Sequence, residues 1–309
     1  MSHVFGPVPS RRLGRSLGVD LVPFKTCSFD CIYCQLGRTT NKTIERREWV
    51  PLDVVLAEVK EKLAAKPDYI TLSGSGEPTL YARLGALIDG IRAMTDTPIA
   101  VLTNASLLWQ EEVRRELRDA HLVAPSLDAG SAGMYEAVNR PHAEATFDRL
   151  VSGLVDFRRE YAGQMWLEVL LVGGYTADVA EVERIRQCVN AIRPDRVQVN
   201  TVVRPPAESY AAGVTPERLQ ALAELLDPKA EVVCDFQGVH RRAEFAATAQ
   251  TVLQMLERRP CTVNDVAEGL GIHRNEAIKY IEDLASAGRA EAVQSASCIY
   301  YRASAGASG

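Results

Sequence analysis

Residues 17–35 read LGVDLVPFKTCSFDCIYCQ, and the order of events in that stretch decides the fold. A short β-rich run, 17–23, passes directly into a loop that carries cysteines at positions 27, 31 and 34. In α/β proteins the functional groups collect in the loops at the C-terminal ends of the strands. Three cysteines are one short of a closed structural zinc site and odd for a disulfide set. Two bland readings are three reduced core thiols, or a zinc site completed elsewhere in the fold. The chemical reading is an iron–sulfur cluster, normally held by four cysteines, with one iron left open. Phe29 and Tyr33 add apolar bulk that would shield such a cluster.

Outward from this stretch, further β-rich runs occur at 69–72, 98–102, 121–127, 166–172 and 196–202. Helical spacing fills the intervals. In 52–63, Leu52, Val55, Leu56, Val59 and Leu63 recur at threes and fours along one face. The other helical segments are 82–95, 108–118, 146–160, 178–192 and, after the sixth strand, 215–227. Strands spaced by helices make βαβ units and a parallel sheet. The first βα turn is not of the dinucleotide-binding type, so the expectation is an α/β fold with an incomplete (β/α)6 TIM-like barrel, not a doubly wound sheet.

The pattern changes near 240. Helical stretches at 246–259, 262–271 and 273–288 precede AEAV and CIYYR, two short strands separated by QSAS. That order predicts a small C-terminal winged helix-turn-helix domain over 245–303, after a core domain over 1–240 and before a disordered tail, 304–309. Segment 245–303 holds six Lys/Arg and seven Asp/Glu, whereas a DNA-reading module is usually basic on its recognition face. Its third helix offers Arg274, Asn275 and Lys279 but also Glu276, Glu282 and Asp283. Holding a peptide or capping the core fits this balance better than reading DNA.

The whole chain of 309 residues has a net charge of −5, which gives no broad attraction to nucleic acid or anionic membrane. It contains no apolar run of membrane-spanning length and no apolar stretch behind the arginines of MSHVFGPVPSRRLGR. A cytoplasmic location is expected, where thiols stay reduced and a tight cysteine group reads as metal-binding or catalytic.

The spacing Cys27-x3-Cys31-x2-Cys34, with an aromatic residue before the third cysteine, resembles the signature of the radical S-adenosylmethionine (SAM) superfamily. The resemblance runs from residue 4 to about 240. Gly74-Ser75-Gly76-Glu77-Pro78 resembles the family's Gly-Gly-Glu-Pro stretch with an extra serine and glycine. Thr103-Asn104, Ser126-Leu127-Asp128 and Asn139-Arg140-Pro141 fall at the later strand ends. GPVPSRRLGRSLGVDLVP and VVRPP look like the UPF0026-type branch, itself similar to the wyosine-base tRNA enzymes and the nitrogenase cofactor-assembly (NifB-like) group.

The resemblance implies a 4Fe-4S cluster on Cys27, Cys31 and Cys34, with SAM chelating the open iron and a 5′-deoxyadenosyl radical taking hydrogen from a substrate. It implies SAM contacts from Gly74, Ser75 and Gly76, where the backbone approaches the methionine moiety, and from Glu77 toward the ammonium. Thr103 and Asn104 would lie near the methionyl end, and Ser126 and Asp128 near the ribose. Asp128 could equally cap a helix. Arg140 and Arg204 could neutralise a carboxylate or phosphate or be solvated charges, and Val172 with Gly173 would pack near adenine. No flavin domain is present, so an external one-electron reductant of flavodoxin or ferredoxin type is implied.

Arg11, Arg12 and Arg15 could receive an anionic substrate or form surface ion pairs. His142 reads as a loop residue. Cys188, Cys234, Cys261 and Cys298 read as buried free thiols. The substrate stays open among a nucleotide, tRNA and a peptide, with no membrane partner. Two rivals remain: a radical SAM enzyme modifying tRNA or other nucleic acid, and an iron–sulfur redox- or SAM-responsive DNA-binding regulator. A zinc scaffold is a more distant third.

Overall fold

Arg12, just after the first strand, donates to Gln198 at 3.0 Å and pairs with Glu168 at 2.6 Å, both on strands near the far edge of the main sheet. Such contacts require the sheet to curl on itself. This computed structural model describes residues 3–10, 12–233, 249–272, 274–295 and 298–304. Arg11, Cys234, the expected break at 240–245 and tail residues 305–309 lie outside the described residues.

The elements in chain order begin with β1 (Val4–Ser10), β2 (Gly14–Val19), the short β3 (Thr26–Cys27) and β4 (Asn41–Lys42), and α1 (Leu52–Lys62). Next come β5 (Tyr69–Leu72), α2 (Leu84–Arg92), β6 (Ile99–Thr103), α3 (Glu111–Glu116), β7 (Leu122–Pro125), α4 (Ala132–Asn139) and α5 (Phe147–Glu160). Then follow β8 (Gln164–Leu171), α6 (Val179–Ile192), β9 (Arg196–Thr201), α7 (Pro216–Leu226) and β10 (Glu231–Val232). The C-terminal segment contains α8 (Ala249–Arg258), α9 (Val263–Leu270), α10 (Arg274–Ser286), β11 (Ala290–Ser295) and β12 (Cys298–Ala303).

The eight-stranded sheet has the order β1-β2-β5-β6-β7-β8-β9-β10. From β2 to β10 every pairing is parallel, the mostly parallel α/β sheet expected. Two pieces go beyond the expectation. β1 adds antiparallel to β2 at one edge, where Pro7 and Pro9 are tolerated because an edge strand has donors to spare. The two-residue β10 extends the other edge. The helix α4 was also not foreseen. It occupies part of the interval between β7 and β8, before the helical segment expected at 146–160.

Alternation explains the layering. In β8 every second residue is buried, Met165, Leu167, Val169 and Leu171 facing the helices. The intervening Glu168 and Leu170 face inward to a cavity. Val55 and Val59 of α1 and Leu87, Ile88 and Ile91 of α2 complete the helix–sheet core. A second apolar cluster, around Val252, Leu256, Val266, Leu270, Ala277 and Ile281, holds α8, α9 and α10 together. The capping box of Thr262 and Asp265 starts α9, and Gly271, at φ 63°, ends it.

The C-terminal segment touches both edges of the curled sheet. Helices α8 and α9 pack on β1, and Val8 of β1 joins the second apolar cluster. At the other edge, the Tyr300 hydroxyl donates to the Val203 carbonyl at 2.6 Å, just past β9. Among the described residues no helix is long and apolar enough to cross a membrane.

Candidate functional site

The cysteine loop leaves β2 and lies at the C-terminal end of the sheet. Each thiol has its own nitrogen donor. Lys25 Nζ is 3.1 Å from Cys34 Sγ, Asn104 Nδ2 is 3.5 Å from Cys27 Sγ, and Asn139 Nδ2 is 3.5 Å from Cys31 Sγ. Burial pushes the Cys27 thiol up to about 12, and the nearby Glu77 carboxylate adds to it. Burial first, then Cys27 and Cys34, drive the Cys31 thiol up as well. Thiolates crowded here need a positive partner, which a metal cluster supplies. Among the described residues no three His, Cys, Asp or Glu side chains are placed to hold one metal ion. The donor set, three soft sulfurs each accepting from nitrogen, fits an iron–sulfur cluster.

The Gly-Ser-Gly-Glu stretch docks on this loop through backbone. Lys25 N–H donates to the Ser75 carbonyl at 2.8 Å, and Glu77 N–H to the Thr26 carbonyl at 3.1 Å. A Cβ on Gly76 would sit 1.8 Å from the Thr26 carbonyl oxygen, and one on Gly74 would meet the Asp20 side chain at 2.6 Å. What these glycines admit, then, is the protein's own chain, not only a ligand.

Glu77 is buried at 2% exposure. Its Oε1 accepts from Thr79 N, Thr79 Oγ1 and Thr103 Oγ1, at 3.0, 2.6 and 2.6 Å. Oε2 accepts from Asn104 N at 2.7 Å. The carboxyl is raised by burial, with those hydrogen bonds opposing. Glu77 therefore clamps the β6 end to its own turn, and Asn104, so held, reaches Ser28 Oγ at 2.8 Å and Cys27.

Asp128 is likewise internal to the site and caps no helix. One oxygen accepts from the Tyr33 hydroxyl and from Asn139 Nδ2, and the other from Leu170 N at 2.9 Å. Burial raises its carboxyl, against the bond from Tyr33. Tyr33 is thus tied to β7 and β8, while Phe29 packs edge-on against Tyr135 at 5.5 Å. Asn139 also donates to the Tyr33 hydroxyl at 3.0 Å, but its own Oδ1 is buried without a partner. Ser126 bridges to Glu168 by backbone and lies half-buried beside this group.

The remaining expected residues occupy several separate settings. Arg140 caps α4 with φ 45° and donates to Glu208 at 2.7 Å and to the Tyr210 hydroxyl at 2.6 Å, so its guanidinium is ion-paired within the chain. Val172 is fully buried, its N–H donating to Thr176 Oγ1. Arg204 is 8% exposed, donates to Gln35 at 3.2 Å and lines the inner cavity. The arginines at 12 and 15 part company. Arg12 turns into the cavity, while Arg15 donates to the carbonyls of Ala65 and Lys66 outside it. His142 is a loop residue whose Nδ1 accepts from Glu144 N. Of the spare cysteines, Cys261 is buried and Cys188 half-buried, but Cys298 is exposed on β12, correcting the expectation of burial.

Four residues without an expected role belong to the site: Asp20, Lys25, Asn139 and Arg258. Asp20 was visible as the single charge inside the apolar run 17–23. Asn139 stood beside Arg140 in the sequence. Nothing in the sequence marks Lys25 or Arg258, because both reach the site through the fold alone.

A curled, mostly parallel α/β sheet that presents three cysteines in the loop after its first parallel strand has the architecture of an α/β enzyme domain with its candidate site at the strand ends. Residues 21–185 match the profile of the Radical SAM superfamily, and the chain is 36% identical over 230 residues to a UPF0026 protein of Methanocaldococcus jannaschii, covering 73% of this chain and 70% of that one. The chain belongs to the radical SAM superfamily, in its UPF0026 branch. A Brachyspira hyodysenteriae protein named GTPase Obg is 38% identical over 292 residues, 93% of this chain but 43% of that protein. The chain thus spans less than half of that relative. Among solved structures, a radical SAM methyltransferase from Sphaerobacter thermophilus shares the fold at TM-score 0.57 and 17% identity, over 74% of this chain and 69% of that one. TYW1 with a lysine-pyruvate adduct bound gives TM-score 0.50 and 19% identity, over 70% and 74%.

Proposed function

We propose that the protein is a radical SAM enzyme that holds one 4Fe-4S cluster on Cys27, Cys31 and Cys34 and uses SAM to abstract hydrogen from a substrate. The observation that carries this reading is the thiol triplet, with a separate nitrogen donor from Lys25, Asn104 and Asn139 on each sulfur. When bound, cluster and SAM supply one-electron reductive cleavage and a 5′-deoxyadenosyl radical. The chain's own part is to orient and to exclude water. Gly74, Ser75 and Gly76 bring backbone to the cysteine loop. Glu77 fixes Thr103 and Asn104, and Asp128 fixes Tyr33. Ser126, Asp128 and Thr103 then offer polar groups to SAM, Arg204 offers a cation, and Arg140 steadies the loop around Glu208.

The chain divides into a radical SAM core, 1–240, and a winged helix-turn-helix domain, 245–303. The contacts of α8 and α9 with β1 support a capping role for that domain over DNA reading. The electron comes from a flavodoxin- or ferredoxin-type protein in the cytoplasm. The continuous basic surface a tRNA-modifying enzyme would want gains no support from Arg12 and Arg15, which point to different places.

The test is anaerobic reconstitution with iron and sulfide, then dithionite and SAM, with chromatography for 5′-deoxyadenosine. Product that disappears in Cys31→Ala supports the proposal. Iron uptake without any SAM cleavage would favour a sensor, and uptake of zinc alone would end the reading.

A further inference from the structure

The segment between β9 and α7, residues 202–214, lies against the cysteine loop. Its far end is anchored to the sheet, the Val214 N–H donating to Thr201 Oγ1 at 3.0 Å and the Gly173 N–H to the Ala212 carbonyl at 2.8 Å. Midway, the Glu208 N–H donates to the Ile32 carbonyl at 2.9 Å, between Cys31 and Cys34. The Arg204 side chain donates to Gln35 Oε1 at 3.2 Å, directly after Cys34.

The Glu208 side chain, 8% exposed, gathers cations from both flanks of that loop. Arg38, which follows Cys34 in the loop, meets the carboxylate at two points, Nε to Oε1 and Nη2 to Oε2, each at 3.0 Å. Arg140, at the end of α4, donates to Oε1 at 2.7 Å, and its guanidinium lies 3.7 Å from Asp30, the residue before Cys31. Asp30 in turn accepts from the Thr39 N–H at 2.6 Å. A two-point arginine–carboxylate contact fixes orientation as well as distance, and burial of the acid makes a lost partner costly. Cys27 is held otherwise. The carbonyl of Thr26 accepts from the Glu77 N–H, and the Cys27 sulfur meets Asn104. The two ends of the loop therefore depend on different elements.

We infer that Glu208 is a positioning residue for the C-terminal half of the cysteine loop, seating Cys34 through Arg38 and the Ile32 carbonyl and leaving Cys27 to the Gly-Ser-Gly-Glu turn. The inference rests on the radical SAM reading for the cluster that the loop holds, but not for the seating of the loop itself. Glu208 acts through the loop's backbone and Arg38, not on a sulfur.

The test uses the full-length chain, first without metal. Iodoacetamide alkylates accessible thiols, and tandem mass spectrometry gives a rate for each cysteine. In Glu208→Gln the Cys34 rate should rise about fivefold over wild type, because losing an ion pair of good geometry eases local opening. Cys27 and the exposed Cys298 should keep their wild-type rates. Arg38→Gln changes an exposed side chain, so folding is spared, and it should move Cys34 in the same direction. Glu160→Gln is the control, since that acid also meets two arginines, Arg114 and Arg118, but at the end of α5. After reconstitution with iron and sulfide and reduction with dithionite, the electron paramagnetic resonance signal of Glu208→Gln should change shape. That of Glu160→Gln should not.

No rise at Cys34, an equal rise at Cys27, or the same response in Glu160→Gln overturns the inference and leaves Glu208 a structural acid. An unaltered signal from the reduced cluster overturns it too. Should Glu208→Gln fail to fold, Arg38→Gln decides on the same criteria. A wild-type chain that takes up no iron, alongside the Cys34 response in the variant, refutes the cluster reading only; a chain that builds the cluster without that response refutes this inference only.

Discussion

Arg258 in α8 donates to the carboxylate of Asp20, 238 positions earlier in the chain. Asp20 directly follows β2, and its carboxylate also accepts from Ser75 N and Ser75 Oγ. One buried acid therefore joins the end of the first parallel strand, the glycine-rich loop after the second and the C-terminal helix.

Asp20→Asn should be among the most destabilising single changes, because it leaves the half-buried Arg258 charge unpaired. A loss of about 3 kcal/mol is expected, read from urea unfolding. The double variant Asp20→Asn/Arg258→Met should recover part of it. Losses that simply add would show that the two residues are not coupled.

Gly76→Ala forces a methyl group into the Thr26 carbonyl, which is backbone and cannot rotate away. The cost is about 3 kcal/mol, and because Thr26 precedes Cys27 the displaced loop should also bind less iron per chain after reconstitution. Wild-type iron content in this variant would show that the loop tolerates the shift.

Lys25 places an ammonium 3.1 Å from Cys34 Sγ. With the proposed cluster on Cys34, removing a positive charge and a donor beside that sulfur stabilises the oxidised state, so Lys25→Met should lower the midpoint potential by on the order of 50 mV. A redox titration followed by electron paramagnetic resonance measures it. An unchanged potential would place the lysine outside the cluster's electrostatics.

Glu208 accepts from Arg140 and Arg38, and the Arg140 bond first, then the Arg38 bond, hold its carboxyl below the usual range. A depressed carboxylate contributes stability that is complete above its unfolded value, about 4.3, and is lost as pH falls through the lower folded value. The Tm advantage of wild type over Glu208→Gln should be steady from pH 6 to 5 and shrink as the pH drops below about 4. A gap that widens on acidification contradicts the sign.

Much of the architecture was legible because period-2 and period-3.6 patterns alternate cleanly. The run 69–72 is β5 without adjustment, and 52–63 is α1 within a residue. Strand β1 was not legible, since Pro7 and Pro9 lower strand propensity everywhere except at an edge. The two-residue β10 is too short to carry a pattern. In the site, the cysteines and the Gly-Ser-Gly-Glu stretch stood out by spacing, but the partners of Glu77, Asp128 and Arg140 did not, because hydrogen bonds between separate loops leave no periodic trace.

By itself the sequence determined the alternating α/β order, the three-cysteine loop after a strand and the glycines that let that loop be approached. These are local properties, set by residue type and spacing over a few turns of chain. Only the tertiary structure decided that Lys25, Asn104 and Asn139 each meet one sulfur, that Arg12 turns inward while Arg15 does not, and that Arg258 lines the cavity. Those outcomes depend on the curl of the sheet, which brings its two ends together, and on burial, which makes each misplaced charge costly enough to fix its partner.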